Sequence, residues 1–456
     1  MAGIGFRLRE MSARKSFAEW LKLYVYSTVI FSGPWLISIL ALGALSLFAL
    51  ESMEDYSVRV FTVTIVYTYC FSLITTGLLQ LVVTRYVSDQ LFMRNPDAVV
   101  PCFVGAMAVT VIVQTVTGAL VYYSSDLAFY YKITGLGLYV TVSVIWIEML
   151  FLSAAKDYGN TVLFFAIGYL ASFLGGQSLG MVFKLDGLLI GFLIGQVVLM
   201  VLLMYRIFTE YRFGLGVDFG FLGHFLRYPS LALAGMAYNT AIWIDKIIFW
   251  YSPSGLHIHS FFYTHFPYDS AMFLAFVTVV PAVAIFLLRI ETDFYICYKN
   301  YYGAILQKAP YDVILEHKKR MLAVLKAATK NVLIYQGCFT LGVLLVMPFL
   351  VSLLGIDPEN TPIFRVAALG AFFHVCLLSV MILLLYFDFR GSALAASLVF
   401  LATNAGLSVA TTSLPTWTYG WGYTLSCLVT LLFALVVFFD RFRKLEYLTF
   451  MRQPLR

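Results

Sequence analysis

The sequence predicts an all-α membrane protein in which twelve transmembrane helices form two six-helix lobes. Three observations lead there. Hydrophobic residues make up 61% of the 456 residues and charged residues 12%, about half the charge of a soluble domain. Apolar stretches long enough to cross a bilayer, about 20 residues each, occur near 23–50, 58–83, 99–124, 133–155, 160–183, 186–208, 228–250, 268–290, 331–355, 363–386, 391–413 and 417–440. With both termini cytoplasmic, only Arg59, Lys132, Lys184, Lys246 and Arg365 of the 30 lysines and arginines fall outside cytoplasmic segments, the asymmetry that orients membrane proteins. The net charge of +6 is mostly this excess, a basic surface facing anionic lipid rather than a nucleic-acid face.

In chain order, Arg7, Arg9, Arg14, Lys15 and Lys22 precede the first apolar run. A signal peptide has an apolar core of only about 7–15 residues, so 23–50 reads as a retained first span. Within it, Ser32-Gly33-Pro34-Trp35 sets a proline, which removes a helical hydrogen bond, beside a loosening glycine. Gly33 and Pro34 read as a hinge. Trp35, deep in the span and far from the interfacial belts where tryptophan collects, reads as a residue of a substrate path. Tyr67, Tyr69, Trp146, Tyr169, Tyr238 and Trp243 are similarly deep, and their faces and polar atoms suit sugar rings, although helix packing accounts for most aromatics.

Glu148 in span four lies about 12 Å from the inner boundary at 1.5 Å per residue. Such a carboxyl either couples proton movement or pairs helices; one acid makes no relay, which favours pairing. After span six, the segment 209–227 carries Gly214, Gly216, Gly220 and Gly223 and reads as a flexible linker. It divides an N-terminal lobe, 1–214, from a C-terminal lobe, 215–456. Two six-span halves of one orientation are the pattern of a duplicated transporter, with substrate handled between them.

Span seven is the richest in polar residues. Asn239, Trp243 and Lys246 follow i, i+4, i+7 spacing on one face, and Tyr238 and Asp245 lie seven apart on the next. This broad polar side predicts contact with protein or a hydrated cavity rather than lipid. Asp245 and Lys246 point about 100° apart, so they are not expected to pair ideally, and each is expected to meet a partner on another helix or a hydrated cavity. Both lie about 24 Å along the span, which also admits a position near the outer head groups. His374 in span ten and Asp269 at the start of span eight are weaker cases of the same kind.

The outer loop near Tyr251–Pro267 is too short for a folded domain. Its His257, His259 and His265 lack the further ligands a zinc site needs, so no metal is expected. The segment 291–330 is the largest cytoplasmic one, and its stretch Tyr311–Lys330 reads as a basic amphipathic helix on the inner leaflet or a solvated helix ahead of span nine. The six cysteines avoid the outer loops and form no CxxC, so no disulfide framework or thiolate site is predicted. No GxxxxGK[ST], HExxH or GxSxG occurs, so no P-loop nucleotide hydrolysis, no enzyme activity and no cofactor are expected.

The opening Met1-Ala2-Gly3-Ile4-Gly5-Phe6-Arg7-Leu8-Arg9, the Ser32–Trp35 turn and Arg289-Ile290-Glu291-Thr292-Asp293-Phe294-Tyr295 closely resemble the PelG family of Pel exopolysaccharide export proteins. That family belongs to the multidrug/oligosaccharidyl-lipid/polysaccharide (MOP) flippase superfamily, and the resemblance extends over the whole chain. It implies a transporter of the bacterial cytoplasmic (inner) membrane whose V-shaped cavity is lined by spans one and seven. The implied cargo is the Pel polymer, rich in N-acetylgalactosamine and galactosamine. The implied partners are a cytoplasmic glycosyltransferase that uses a nucleotide sugar and the other Pel membrane subunits of a synthase complex. No catalytic motif comes with the resemblance; the roles of Asp245, Lys246 and Glu148 rest on depth and face. The alternatives are a flippase for a lipid-linked oligosaccharide, an ion-coupled drug exporter, and a membrane scaffold that docks a glycosyltransferase through Glu291–Lys330. For docking, Lys318, Lys319 and Arg320 are the candidate residues.

Overall fold

A computed structural model describes residues 17–452 apart from 124, 156, 212, 213, 215 and 354–359. The opening motif lies outside the described residues, as does the side chain of Trp35. Helices α1 (Phe17–Ser52), α2 (Asp55–Phe92), α3 (Val99–Tyr123) and α4 (Phe129–Ala155) precede a long helical stretch, Tyr158–Glu210. At Lys184, φ of 51° and ψ of −126° break that stretch into α5 (158–183) and α6 (185–210). A short α7 (Gly220–Arg227) leads to α8 (Pro229–Trp250) and then to the antiparallel hairpin β1–β2 (Leu256–His259, Phe262–Thr264). The rest is α9 (Phe266–Val277), α10 (Val280–Arg289), α11 (Tyr295–Leu306), α12 (Tyr311–Leu353), α13 (Thr361–Tyr386), α14 (Arg390–Thr412), α15 (Trp421–Arg443) and α16 (Leu445–Arg452).

Among the described residues, nine helical stretches are long and apolar enough to cross a membrane. One is the α5–α6 pair, long enough for two crossings, and α1 and α8 are helices at the positions of expected spans one and seven. Helices are thus found at each of the twelve expected positions among the described residues, the eighth made of α9 and α10. The chain divides into two compact units. One holds Met1–Phe31, Ile244–Ile248 and Phe266–Arg456; the other holds Ser32–Trp243 and Phe249–His265. Spans one and seven each contribute to both.

Without water to squeeze apolar faces together, helices in lipid pack through close backbone approach and interhelical hydrogen bonds. The second unit shows both devices. A Cβ on Gly191 of α6 would lie 2.2 Å from the backbone of Gly175 in α5, and one on Gly235 of α8 would lie 2.3 Å from the Gly77 carbonyl of α2. Only glycine permits these approaches. Beside the second, Asn239 Nδ2 donates to the Leu73 carbonyl at 2.9 Å.

Three elements depart from the sequence reading. Span eight is not continuous: turns at 278–279 separate α9 from α10, next to Pro281, whose ring nitrogen has no hydrogen to donate. Gln336 Nε2 of α12 donates to the Thr278 carbonyl at 3.0 Å. Such substitution lets irregular backbone persist at membrane depth. Second, the end of the segment 209–227, from Asp218 on, is docked rather than a flexible linker. Asp218 N donates to the Pro101 carbonyl at 3.0 Å, Tyr86 hydrogen-bonds the Asp218 carboxylate, and Phe221 of α7 is fully buried. Third, Tyr311–Lys330 is no separate surface helix; it runs without a break into span nine as α12.

Candidate functional site

In the first unit, a buried polar cluster forms around the end of α8. Asp245 is fully buried and Lys246 is 7% exposed. The Lys246 ammonium lies 3.2 and 3.3 Å from the two Asp245 oxygens, so these neighbours do pair, although their spacing on the helix does not favour it. A lysine stem is long enough to fold its head back across the 100° between them. The expectation of a partner on another helix holds for Asp245, because Tyr268 of α9 donates to its Oδ2 at 2.7 Å. The ammonium also sits over two rings, 5.2 Å from the centroid of Phe276 and 5.7 Å from that of Tyr423, where the ring quadrupoles attract a cation. His374 joins the cluster: its ring stacks on Tyr423 at 6.0 Å, and its Nδ1 lies 3.9 Å from Cys427 Sγ. Asp269 sits in the first turn of α9.

The second unit holds a different chemistry. On α2, Tyr69, Ser72, Thr76 and Gln80 follow i, i+3, i+7, i+11 spacing and form a stripe, with Thr75 beside it. Tyr69 shares a short hydroxyl hydrogen bond with Tyr169 of α5 and reaches Gln196 of α6 at 3.5 Å. Trp146 Nε1 of α4 donates to Ser72 Oγ at 3.0 Å. Thr75 donates to Gln114 of α3 at 3.0 Å and lies 3.1 Å from the Tyr139 hydroxyl of α4. Asn239 Nδ2 donates to the side-chain oxygen of Gln80, Oε1, at 3.3 Å. The network thus joins α2 to five other helices through uncharged hydroxyl, amide, phenol and indole groups. Of these, Tyr69, Thr75, Gln80 and Trp146 keep part of their surface exposed.

Of the residues singled out from sequence, Asp245, Lys246 and His374 come together, while Asn239 belongs to the neutral network. Trp243 packs against Trp250 at 6.4 Å. Glu148 is fully buried, and neither carboxyl oxygen has a hydrogen-bond partner among the described residues, so the expected helix pairing is absent. Gly33 is buried, and helix α1 continues through Pro34, whose carbonyl accepts from Ser38 at 2.8 Å. Lys318 forms an internal clamp: its ammonium lies 2.5 Å from Glu446 of α16 and 3.2 Å from the Arg443 carbonyl. Lys319 and Arg320 are exposed, Arg320 paired with Glu316.

In the β1–β2 hairpin, His259 Nδ1 meets the Tyr56 hydroxyl at 2.9 Å and His257 Nε2 meets the Ser260 carbonyl at 2.8 Å. Burial holds the His265 imidazole below its usual 6.5. The described residues contain no group of three or more potential metal ligands. Sequence reasoning missed Ser72, Thr75, Gln80, Gln114 and Gln196. The polar stripe along α2 was the signal, hidden because single hydroxyls are common in membrane helices.

The family model of PelG, "Putative exopolysaccharide Exporter (EPS-E)", matches residues 1–450. The chain belongs to the PelG family. A search of curated proteins finds no match. Among solved structures, this PelG-family chain is similar to a MOP superfamily transporter from Pyrococcus furiosus, with a TM-score of 0.68 and 11% identity over 93% of this chain and 96% of that one. It is also similar to an outward-facing multidrug resistance MATE family transporter of the MOP superfamily, with a TM-score of 0.66 and 12% identity over 92% and 96% of the two chains. A MATE structure in the straight conformation gives 0.68 and 12% over 93% and 96%. At such low identity these likenesses establish the fold, that of a multi-pass MOP transporter with twelve helices in two lobes.

Proposed function

We propose that the chain exports a growing exopolysaccharide across the cytoplasmic membrane as the transporter subunit of a synthase complex, with no chemistry of its own on the polymer. Membership of an exopolysaccharide exporter family over residues 1–450 is the observation that carries this reading. The uncharged aromatic and hydroxyl network of the second unit supports it. A hexosamine polymer presents hydroxyls, amides and apolar ring faces, which Tyr69, Trp146, Thr75 and Gln80 can match without binding it too tightly to slide.

The cargo on this reading is a Pel-like polymer rich in N-acetylgalactosamine, received from a cytoplasmic glycosyltransferase together with other Pel membrane subunits. Both termini face the cytoplasm, and 1–214 and 215–456 act as the two functional lobes, with Gly33 and Pro34 as a hinge. Trp35, Tyr238, Asn239 and Trp243 line the path. Asp245, Lys246 and Glu148 couple movement to an ion gradient, since buried ionisable groups at membrane depth are costly unless used. The exposed Lys319 and Arg320, alongside Lys318, offer a docking surface to the glycosyltransferase. Deleting the chain's gene is expected to abolish surface polymer, with wild-type chain restoring it. Unchanged surface polymer after deletion would refute export. A polyprenyl-linked intermediate accumulating in the deletion strain would replace the polymer reading with a lipid-linked flippase.

A further inference from the structure

The Arg289–Tyr295 run has no place in the path just described, and it builds a cavity. Ile290–Phe294 wind as a π turn between α10 and α11, a distortion common at functional sites. Between this turn and α12 lies a cavity of about 370 Å³ with Arg289, Asp293 and Asn331 as polar groups and Ala327 and Ala328 in its wall. This volume falls within the range of small-ligand sites. Arg289 and Asp293 pair at 2.7 Å yet stay 42% and 41% exposed. A local pair this open contributes little to stability, so structure alone does not account for it.

The height of the cavity narrows its ligand. Along α12, Lys318, Lys319, Arg320, Lys326 and Lys330 precede Asn331, and 331–349 carry no charge. On the other wall, the apolar Val280–Leu288 ends at Arg289. Both helices therefore pass from apolar to polar at the cavity, as helices do at the level of lipid head groups. The cavity lining offers one cation and one anion, so its complement is a zwitterion with an apolar continuation.

We propose that the cavity seats the head group of one phosphatidylethanolamine-type phospholipid. The phosphate takes the Arg289 guanidinium and the Asn331 amide; the primary ammonium donates to the Asp293 carboxylate; the upper acyl chain lies along Ala327 and Ala328. Charge-assisted bonds to both ends of the head group replace the open Arg289–Asp293 pair. A trimethylammonium head group has no N–H to give Asp293, and a purely anionic one leaves that carboxylate facing a like charge. This site stands independently of the polymer-export reading.

Native mass spectrometry of the full chain tests it, with phosphatidylethanolamine, phosphatidylcholine and phosphatidylglycerol of matched acyl chains added in turn. One ethanolamine lipid is expected to stay bound under activation that strips the other two. Asp293→Asn should lower its retention about tenfold, to the level of the choline lipid, and Arg289→Gln should weaken the retention of all three. Ala327→Trp, at an exposed wall position, should fill the cavity and abolish retention while leaving thermal stability unchanged, which separates loss of the site from misfolding. Three results would overturn the proposal: equal retention of the choline lipid, preference for the glycerol lipid, or ethanolamine-lipid retention untouched by Asp293→Asn and Ala327→Trp. Displacement of the lipid by equimolar soluble phosphoethanolamine would also overturn it, making this a site for a soluble zwitterion.

Discussion

Lys246 follows Asp245 directly, and helical geometry alone separates the two side chains; the fold reunites them beneath Phe276 and Tyr423. Sequence could mark both residues as unusual at that depth. It could not show that Tyr268, His374 and Tyr423, from three other helices, complete the cluster. Removing one charge from a buried pair costs far more than removing both, because the survivor stays desolvated. Asp245→Asn is therefore expected to lose about 3–5 kcal/mol of stability, and Asp245→Asn with Lys246→Met to recover most of it. Export should stay impaired in both. Melting of the purified variants and assays of surface polymer check the two halves of that expectation. His265 makes a second prediction. Its folded imidazole titrates below its usual 6.5 because it is buried, so the unfolded chain binds its proton first. The stability it contributes is present above pH 6.5 and lost as pH falls through the lowered folded value. Melting temperature against pH should thus fall more steeply on the acid side in wild type than in His265→Phe.

The spans were the most legible elements, because an apolar run of 20 residues is a local property. Even the turn between α5 and α6 was readable, since Lys184 and Asp186 interrupt two apolar runs there. The break in span eight also had a local cue, Pro281 after two valines, but hydropathy alone reads through it. Its second half is not local: Gln336 lies 58 residues on and covers the Thr278 carbonyl. Gln336→Leu should therefore destabilise the protein by about 1–3 kcal/mol, the cost of a buried group left unsatisfied, and Gln336→Glu, which sets a carboxylate against that carbonyl, should cost at least as much. Chemical denaturation in detergent checks it. The docking of 218–227 had no local cue at all. Its glycines are those of a linker, and only the distant Tyr86 and Pro101 reveal that the chain is held.

At the scale of the whole molecule, twelve spans, lopsided basic loops and three short motifs were enough to reach the family. The neutral network was not legible, because Ser72 and Thr75 on α2 mean little until the fold brings Gln114 of α3 and Gln196 of α6 against that helix. The fold and the family place the chain among exporters, and the chemistry of that network is what fits a sugar polymer. The most direct measurement is capture of polymer inside the chain. A photo-crosslinking residue in place of Trp146, a member of the network, should yield an adduct during active synthesis that stains for N-acetylgalactosamine and disappears on hexosaminidase treatment. The same residue at Leu120, an exposed position on α3, should not. No sugar adduct at 146, or equal labelling at both positions, would contradict passage of the polymer through this chain.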